Sequence, residues 1–233
     1  MKTNQESLAT VIIPCRDELQ SLVITIPFIL TTCRKVGEVL IVADDKEDSS
    51  FQLRDFFSPD AHLVSYILNS EGGVFHAIEA GVRNSKYDIC LVLPADELLP
   101  ILNVDEMLSS LNDANRFVTA TRHKSGGKRY GGNLLGKSFS NLGNLFLRLR
   151  YPSTISDFTT GIKGFYKSDW PLISIGANRR GWSCALAFSI NAIKNDLRPV
   201  EIPVISVDRF AGGTSSFSLR SWLWSYILIA LKP

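Results

Sequence analysis

The stretch Ala9-Thr-Val-Ile-Ile-Pro-Cys-Arg-Asp-Glu18 decides the fold of this 233-residue chain. It opens as a short apolar run, ends that run at Pro14, and then places two carboxylates where a helical spacing begins. A short apolar run bounded by turn-forming residues is typical of a buried strand. Acids at the start of a helix complement its dipole. The stretch therefore predicts a buried strand that leads directly into a helix.

Three further apolar runs follow within the first hundred residues, and segments with helical spacing separate them. The predicted strands are Ala9–Ile13, Val39–Ala43, Leu63–Ile67 and Ile89–Leu93, and the predicted helices are Glu18–Arg34, Ser50–Phe57 and Gly73–Asn84. This alternation predicts an α/β fold with a doubly wound, mostly parallel central sheet. In such a sheet, loops at the carboxyl ends of the strands hold the ligand.

The pattern is looser after Pro100. We predict a helix at Asn103–Leu111, a strand at Phe117–Ala120, a Gly- and Lys-rich loop at Ser125–Gly132, an amphipathic helix at Asn133–Leu149 and a strand at Val200–Val207. The loop is either a solvated connection or a lid over bound phosphate. Because no repeat or low-complexity linker divides the chain, we predict a single domain.

The bulk composition excludes several classes of protein. The chain is 45% hydrophobic and 21% charged, which is enough apolar material for a full core, and its net charge of +2 predicts no nucleic-acid partner. The four cysteines are scattered without a C-x-x-C pair, so neither a zinc site nor a disulfide framework is expected. The polar start does not read as a signal peptide, and no apolar run is long enough to span a bilayer.

Acidic residues follow three of the predicted strands. They lie in the segments Val11–Glu18, Val42–Asp48 and Leu91–Pro100. Taken alone, each segment is also compatible with a helix start or a solvated turn. At the third strand, Asp96 and Glu97 are adjacent and point opposite ways in an extended chain. We expect Asp96 to face the ligand, where a carboxylate can hold a hard cation on a diphosphate.

The segment Ile155-Ser-Asp-Phe-Thr-Thr-Gly-Ile-Lys-Gly-Phe-Tyr166 adds a second group of polar residues. It places one carboxylate, two hydroxyls, a glycine and a lysine just before an aromatic pair. These groups can orient a phosphate beside a sharply turning backbone. An ordinary strand and turn with polar residues is the alternative.

These segments, in this order and spacing, resemble family-2 glycosyltransferases, in the branch of the dolichol-phosphate mannosyltransferase-like enzymes that act on polyprenyl phosphates. The resemblance runs from about Thr10 to Ser216. The matching motifs are Pro14 with Asp17-Glu18, Asp44-Asp45, Pro94-Ala95-Asp96, Arg122, Asp157-Phe-Thr-Thr-Gly-Ile-Lys163, Glu201-Ile-Pro-Val204, Arg209 and Gly213-Thr-Ser215. The resemblance implies a single-domain nucleotide-diphospho-sugar transferase fold, known as GT-A and similar to the Rossmann fold.

The resemblance also implies roles for individual residues. Asp157 and Asp96 are expected at the reaction centre, with Mg²⁺ or Mn²⁺ on Asp96. Nucleotide-sugar binding is expected from Pro14, Asp17, Glu18, Asp44, Asp45, Gly73 and Ala95. Phosphate or acceptor binding is expected from Arg122, Lys137, Thr159, Lys163, Arg209 and Ser215.

The chain departs from the family pattern at two places that bear on its chemistry. Pro94 replaces the first aspartate of the metal motif and offers no side-chain ligand. Relatives that act on hydroxyl acceptors commonly carry a Glu-Asp pair in the second half, whereas the only such step here is Glu47-Asp48. A sugar hydroxyl usually needs a general base, but an anionic phosphate does not. We therefore favour a phosphate acceptor.

The final segment combines serines on one helical face with an apolar remainder that includes Trp222 and Trp224. Such a helix lies in a membrane interface or packs on protein. We assign residues 1–217 to the catalytic domain, with a nucleotide-binding half (1–100) and an acceptor half (101–217), and residues 218–233 to an amphipathic helix.

The sequence thus predicts an inverting glycosyltransferase that uses a nucleotide-sugar donor and a polyprenyl phosphate. We expect it to lie in the cytoplasm, peripheral on the cytoplasmic face of the membrane, with the C-terminal helix against the lipid. Two alternatives remain: a family-2 enzyme that glycosylates a saccharide hydroxyl in a cell-surface glycan, and a non-catalytic nucleotide-binding relative.

Overall fold

A computed structural model of the chain describes residues 8–57, 62–131, 134–177, 181–207 and 229, with side chains for all of these except 134–139. Seven strands form the central sheet, in the order β3-β2-β1-β4-β7-β5-β8. Their bounds are β1 (Ala9–Cys15), β2 (Val36–Ala43), β3 (Val64–Leu68), β4 (Ile89–Val92), β5 (Phe117–Thr121), β7 (Lys163–Tyr166) and β8 (Val200–Pro203). A separate two-stranded sheet pairs β6 (Lys128–Tyr130) with β9 (Ile205–Val207).

The predicted mostly parallel α/β sheet is confirmed. Within the central sheet only β7 runs against its neighbours, β4 and β5. The helices are α1 (Leu19–Thr32), α2 (Val74–Asn84), α3 (Val104–Ser110), α4 (Leu134–Arg150), α5 (Trp170–Ser174) and α6 (Ser183–Lys194).

Apolar layers cover both faces of the sheet, which explains why β1, β2 and β4 consist mostly of apolar residues. Successive side chains of a strand point to opposite faces. On β1, Val11 and Ile13 therefore join the layer that contains α1 and α3, while Ile12 joins the layer that contains α2 and α6. Helix α2 lies so close to β1 that a Cβ added to Gly81 would be 2.4 Å from an Ile12 methyl carbon.

Three predicted elements differ from the structure. The helix expected at Ser50–Phe57 is a 3-10 turn at Ser49–Arg54, nucleated by Asp48, whose side chain accepts a hydrogen bond from the backbone N–H of Ser50. The loop Ser125–Gly132 contains β6. The strand predicted at Val200–Val207 divides at Val204, because the backbone of Val204 bonds to Thr121 on one sheet and to Lys128 on the other.

The remaining predictions concern cysteines, membrane spans and the C-terminal helix. All four cysteines are buried and unpaired, as expected. None of the helices among the described residues is long and apolar enough to cross a membrane. The predicted helix at 218–233 lies outside the described residues, apart from Ile229, which packs in a cluster with Leu147 and Tyr151.

Candidate active site

The predicted site segments meet at one edge of the sheet. Strands β1, β2 and β4 are parallel, so their carboxyl ends lie at the same edge. Because β7 is antiparallel to β4 and β5, its amino end, which follows residues 157–162, lies at that edge together with the carboxyl end of β5. A Cβ added to Gly161 would be 3.0 Å from Cγ of Pro94. The second-half segment thus packs directly against the end of β4.

Asp44 is held in place from two sides. Its Oδ1 accepts a 2.7 Å hydrogen bond from Nδ2 of Asn69, and its Oδ2 accepts a 2.8 Å bond from the backbone N–H of Gly73. Gly73 has φ of +86°, a conformation that favours glycine. Asp44 and Asp45 are nevertheless exposed to solvent. The structure therefore presents a fixed, accessible carboxylate at the end of β2, where a nucleoside can be bound.

The loop after β1 is joined to the loop after β2. The backbone N–H of Asp17 donates to Oδ2 of Asp48 at 2.9 Å, and that of Glu18 donates to Oγ of Ser50 at 3.2 Å. Asp17 has φ of +55°, so this turn is conformationally unusual for a non-glycine residue. Asp48 is buried and supports the turn, a role that the sequence analysis did not assign.

The segment after β4 holds Asp96 and Glu97 in different surroundings. Thr25 donates to the backbone oxygen of Ala95 at 3.0 Å, and Ser206 of β9 donates to Oε1 of Glu97 at 3.0 Å. Glu97 is thereby tied to the small sheet, whereas Asp96 lies partly exposed at the edge. One accessible carboxylate fits a magnesium-type ion, which keeps most of its ligands as waters and substrate phosphate oxygens. Pro94 adds no ligand.

Arg122 and Asp157 form a two-pronged ion pair at the same edge. Nε of Arg122 donates to Oδ2 at 2.7 Å and a terminal nitrogen donates to Oδ1 at 3.0 Å. Thr159 adds a backbone and a hydroxyl hydrogen bond to Oδ1. Asp157 is fully buried, while 12% of the Arg122 side chain is exposed. The buried carboxylate of Asp157 therefore orients the guanidinium of Arg122, part of which stays exposed.

This environment changes the expected role of Asp157. Burial raises the pKa of Asp157, but the charge and hydrogen bonds of Arg122, together with the charges of His123 and Lys163, outweigh burial and hold this pKa well below its usual range. A buried carboxylate that stays ionised and accepts several hydrogen bonds has no free lone pair facing a substrate. Asp157, which was expected at the reaction centre, is instead enclosed, and its carboxylate orients Arg122.

Glu201 opens the motif Glu201-Ile-Pro-Val204, and no role was predicted for its side chain. Its side chain is fully buried. Its Oε1 accepts hydrogen bonds from the backbone N–H groups of Ser156, at 2.6 Å, and Asp157, at 2.9 Å. Lys124 forms an ion pair with Oε2 at 3.2 Å. The sequence did hold an indication of this role: Glu201 is an acid within a predicted strand, and an acid that is buried there must be paired.

Lys163 is placed differently from the expected phosphate contact. Its side chain is completely buried, and Nζ donates to the hydroxyls of Thr119 and Ser189 at 2.8 and 2.7 Å and to the backbone oxygen of Phe158 at 3.4 Å. Burial lowers the pKa of Lys163 to about 7, although the charges of Asp157 and Glu201 oppose the shift. An amine enclosed in this way anchors the 157–160 segment and does not meet a ligand phosphate.

Helix α4 packs against the Asp157 segment. Oδ1 of Asn144 accepts from the backbone N–H of Phe158 at 2.9 Å, and Nδ2 contacts Nε2 of His123 at 3.3 Å. Ser140 lies 3.3 Å from the Thr159 hydroxyl. The predicted site residues Arg209 and Ser215 lie outside the described residues, as does the side chain of Lys137.

Comparison with known proteins agrees with this geometry. The profile of the family described as "Glycosyl transferase family 2" matches residues 10–170. The undecaprenyl-phosphate 4-deoxy-4-formamido-L-arabinose transferase of Pectobacterium atrosepticum is 26% identical over 217 residues, which cover 90% of this chain and 62% of that protein. The Salmonella typhimurium enzyme of the same name is 25% identical over 216 residues, or 91% and 63% of the two chains. The chain thus spans less than two thirds of these relatives.

Solved structures share the fold at low sequence identity. Glucosyl-3-phosphoglycerate synthase from Mycobacterium tuberculosis, in complex with Mn²⁺, UDP-glucose and phosphoglyceric acid, superposes with a TM-score of 0.72 at 13% identity, covering 98% of this chain and 80% of that one. The same enzyme with Mg²⁺ and UDP gives 0.70 at 12% identity, with coverages of 97% and 80%. The expected GT-A fold is confirmed.

Proposed function

Because the chain belongs to glycosyl transferase family 2, we propose that it transfers a sugar from a nucleotide-diphosphate sugar to a polyprenyl phosphate, with inversion at the anomeric carbon. The similarity to undecaprenyl-phosphate sugar transferases supports this acceptor class. One acceptor phosphate oxygen bonds to the anomeric carbon as the bond from that carbon to the nucleoside diphosphate breaks.

The donor occupies the carboxyl edge of the first four strands in this proposal. Asp44, fixed by Asn69 and Gly73, accepts hydrogen bonds from the nucleoside together with Asp45. Asp17 and Glu18, in the loop tied to Asp48 and Ser50, border the same proposed site. Pro14 and Ala95 supply backbone walls at the strand ends. Asp96 would hold Mg²⁺ or Mn²⁺, and such a cation would supply charge neutralisation for the leaving diphosphate.

The observation that carries the phosphate acceptor is the state of Asp157. This carboxylate is buried, bonded to Arg122 and held ionised with a pKa well below its usual range. It is therefore unsuited to take a proton from a sugar hydroxyl. A phosphate needs no proton removed and instead needs a cation beside it. Arg122, which is oriented by Asp157 and bonded to Thr159, supplies that cation.

A membrane location follows from the acceptor and is supported by helix α4. The face of α4 opposite the site carries an exposed apolar stripe flanked by two exposed arginines; its residues are Leu142, Leu145, Phe146, Leu149, Arg148 and Arg150. No acidic residue lies on α4. An apolar face with cationic flanks fits an anionic lipid surface. We place this face, with the 218–233 segment, on the cytoplasmic side of the membrane.

The acceptor class is tested by offering purified protein a panel of labelled nucleotide sugars with either a short-chain polyprenyl phosphate or an oligosaccharide. Reactions run with Mn²⁺, with Mg²⁺ and with chelator. The proposal predicts a lipid-linked sugar phosphate that forms only with metal. Glycosylated oligosaccharide as the product would favour the saccharide-hydroxyl alternative. Donor binding without any transfer would favour a non-catalytic protein.

A further inference from the structure

A group of three side chains outside the sugar-transfer site converges on one point. Glu71 belongs to the loop before α2, whereas His76 and Glu79 lie one turn apart on α2. Oε2 of Glu71 lies 3.2 Å and Oε2 of Glu79 lies 3.4 Å from the same ring nitrogen, Nδ1 of His76. All three ligand atoms lie within 4.8 Å of one another.

The geometry points to a divalent transition-metal site, with zinc as the best-suited ion, and we propose that Glu71, His76 and Glu79 bind it. Imidazole and carboxylate are both zinc ligands, with bond lengths of about 2.0–2.2 Å. Tetrahedral bonds of that length place neighbouring ligand atoms about 3.3–3.6 Å apart. Of the two nitrogen–oxygen distances, 3.4 Å lies within this range and 3.2 Å lies just below it. A water molecule completes the tetrahedron.

Hydrogen bonding explains the cluster less well. A charge-assisted N–H···O bond is usually about 2.7–2.9 Å long, and both contacts here are longer. They also converge on one nitrogen, which carries at most one proton for two carboxylates. Among the described residues, no lysine or arginine forms an ion pair with Glu71 or Glu79, so the two carboxylates share the single imidazole of His76. A divalent cation would contact the nitrogen and both carboxylates at once, and it would balance the two negative charges.

The histidine is suited to serve as the fixed ligand. His76 is only 8% exposed, and its ring packs edge-on against Phe75, with centroids 5.2 Å apart. The two carboxylates are more accessible, with 53% of the Glu71 side chain and 35% of the Glu79 side chain exposed. A buried imidazole with two movable acids around it offers a metal a route of entry and a rigid point of attachment.

The cluster lies beside the loop that holds Asp44 in place. Oδ1 of Asn69 accepts from the backbone N–H of Glu71 at 3.3 Å, and the Nδ2 of the same Asn69 holds Asp44. A metal that joins Glu71 to α2 therefore restrains the loop that fixes Asp44. If Asp44 binds the nucleotide as proposed, zinc should tighten nucleotide binding, and this expectation rests on the proposed function. The binding of the metal itself does not rest on it.

The test measures zinc affinity by competition with a chromophoric chelator, using metal-free protein without an affinity tag and without nucleotide. Co²⁺ absorption reports the ligand set. The test variant is Glu71→Gln with Glu79→Gln, which leaves the buried histidine in place. The controls are Glu106→Gln, an exposed acid on α3, and Asp96→Asn, which removes the proposed diphosphate-metal ligand.

We expect one zinc ion per wild-type chain and unchanged affinity in both controls. Groups that merely support a ligand are worth about 10- to 100-fold in metal affinity, so loss of two ligands should weaken binding by at least about 100-fold. Zinc should also raise the melting temperature of the wild type and not that of the double variant. Equal zinc binding by wild type and double variant, at any level, would overturn the proposal. Zinc binding without sugar transfer would leave it intact and count against the proposed function alone.

Discussion

The carboxylate of Glu201 lies inside the protein, where it accepts hydrogen bonds from the backbone of Ser156 and Asp157. In Glu201→Gln, an amide group replaces one oxygen and the negative charge opposite Lys124 is lost. Each buried group left unsatisfied costs about 1–3 kcal/mol. We therefore expect the free energy of unfolding, measured in urea, to fall by about that amount.

The same variant should lose activity through geometry. Glu201 positions the backbone of Asp157, which in turn orients Arg122, and small misplacements of such groups cost up to about 100-fold in rate. Glu106→Gln, at an exposed position, should change stability by no more than about 0.5 kcal/mol. Similar unfolding curves for the two variants would show that Glu201 does not support the site.

Lys163 makes the stability of the protein depend on pH. Burial lowers the pKa of its amine from 10.5 to about 7. Between these values the unfolded chain binds a proton that the folded protein does not, so stability from this group rises as pH increases. Below pH 7 the folded protein instead carries a buried charge, and this contribution is at its least favourable.

Lys163→Met removes that dependence. From pH 7 to pH 10 the free energy of unfolding of the wild type should rise relative to that of the variant. All other groups titrate in both proteins, so this relative change reports on Lys163. Urea unfolding at several pH values measures this difference. A difference that is constant with pH would mean that the amine is not perturbed as described.

At the scale of elements, the packing of the 157–161 segment against the end of β4 depends on Gly161. A Cβ at this position would be 2.7 Å from the Trp182 ring and 3.0 Å from the Pro94 ring. Neither ring is a flexible chain end, so Gly161→Ala should destabilise the protein by about 1–3 kcal/mol. Gly143→Ala is the control, because its added Cβ has no neighbour within 4 Å among the described residues, apart from the adjacent residues and backbone of its own helix.

The two glycine variants should move the melting temperature in opposite directions. Alanine is favoured over glycine within a helix by about 0.5–1 kcal/mol, so Gly143→Ala on α4 should raise it, whereas Gly161→Ala should lower it. Thermal unfolding followed by circular dichroism measures both. An unchanged melting temperature in Gly161→Ala would refute the close contact with Pro94.

The exposed face of α4 is tested with vesicles. Leu145→Gln with Leu149→Gln should weaken co-sedimentation with vesicles that contain phosphatidylglycerol by at least about tenfold, since each buried leucine contributes about 1.5–3 kcal/mol. Leu102→Gln alters a leucine that is 60% exposed on another element and should not weaken it. Wild-type protein that does not bind such vesicles, or a double variant that binds like wild type, would exclude α4 as the membrane contact.

The elements also show where sequence reasoning succeeds and where it stops. Strands β1 to β4 could be predicted because layers on both faces make them continuous apolar runs. The division of Val200–Val207 could not, since it depends on Thr121 and Lys128, which are distant in sequence. Asn69, by contrast, follows β3, and the rule that placed Asp44 and Asp96 at strand ends would have identified it.

For the residues of the site, the sequence indicated where they lie better than what their side chains contact. Asp157 and Lys163 lie where the motif places them, beside the end of β4. Sequence could not show that both are buried, because burial depends on Glu201, Ser189 and α4 closing around them. Arg122 keeps part of its side chain exposed, whereas Lys163 is fully enclosed, and only the structure distinguishes the two.

For the whole molecule, the sheet brings the residues proposed to bind donor and acceptor to a single edge. The parallel strands β1, β2 and β4 deliver the acids of the nucleotide half, and antiparallel β7 returns the chain so that the Asp157 segment meets Pro94. This arrangement sets Asp96, the proposed cation ligand, between Asp44 on one side and Arg122 on the other.

The most direct test is the initial rate of sugar transfer to polyprenyl phosphate as a function of Mn²⁺ concentration, compared between wild type and Asp96→Asn. A bound cation contributes several kcal/mol to charge stabilisation in such reactions. Loss of its ligand should therefore lower the rate at limiting metal by about 100-fold or more. A wild-type rate with unaltered metal dependence in Asp96→Asn would contradict the assignment of this edge as the sugar-transfer site.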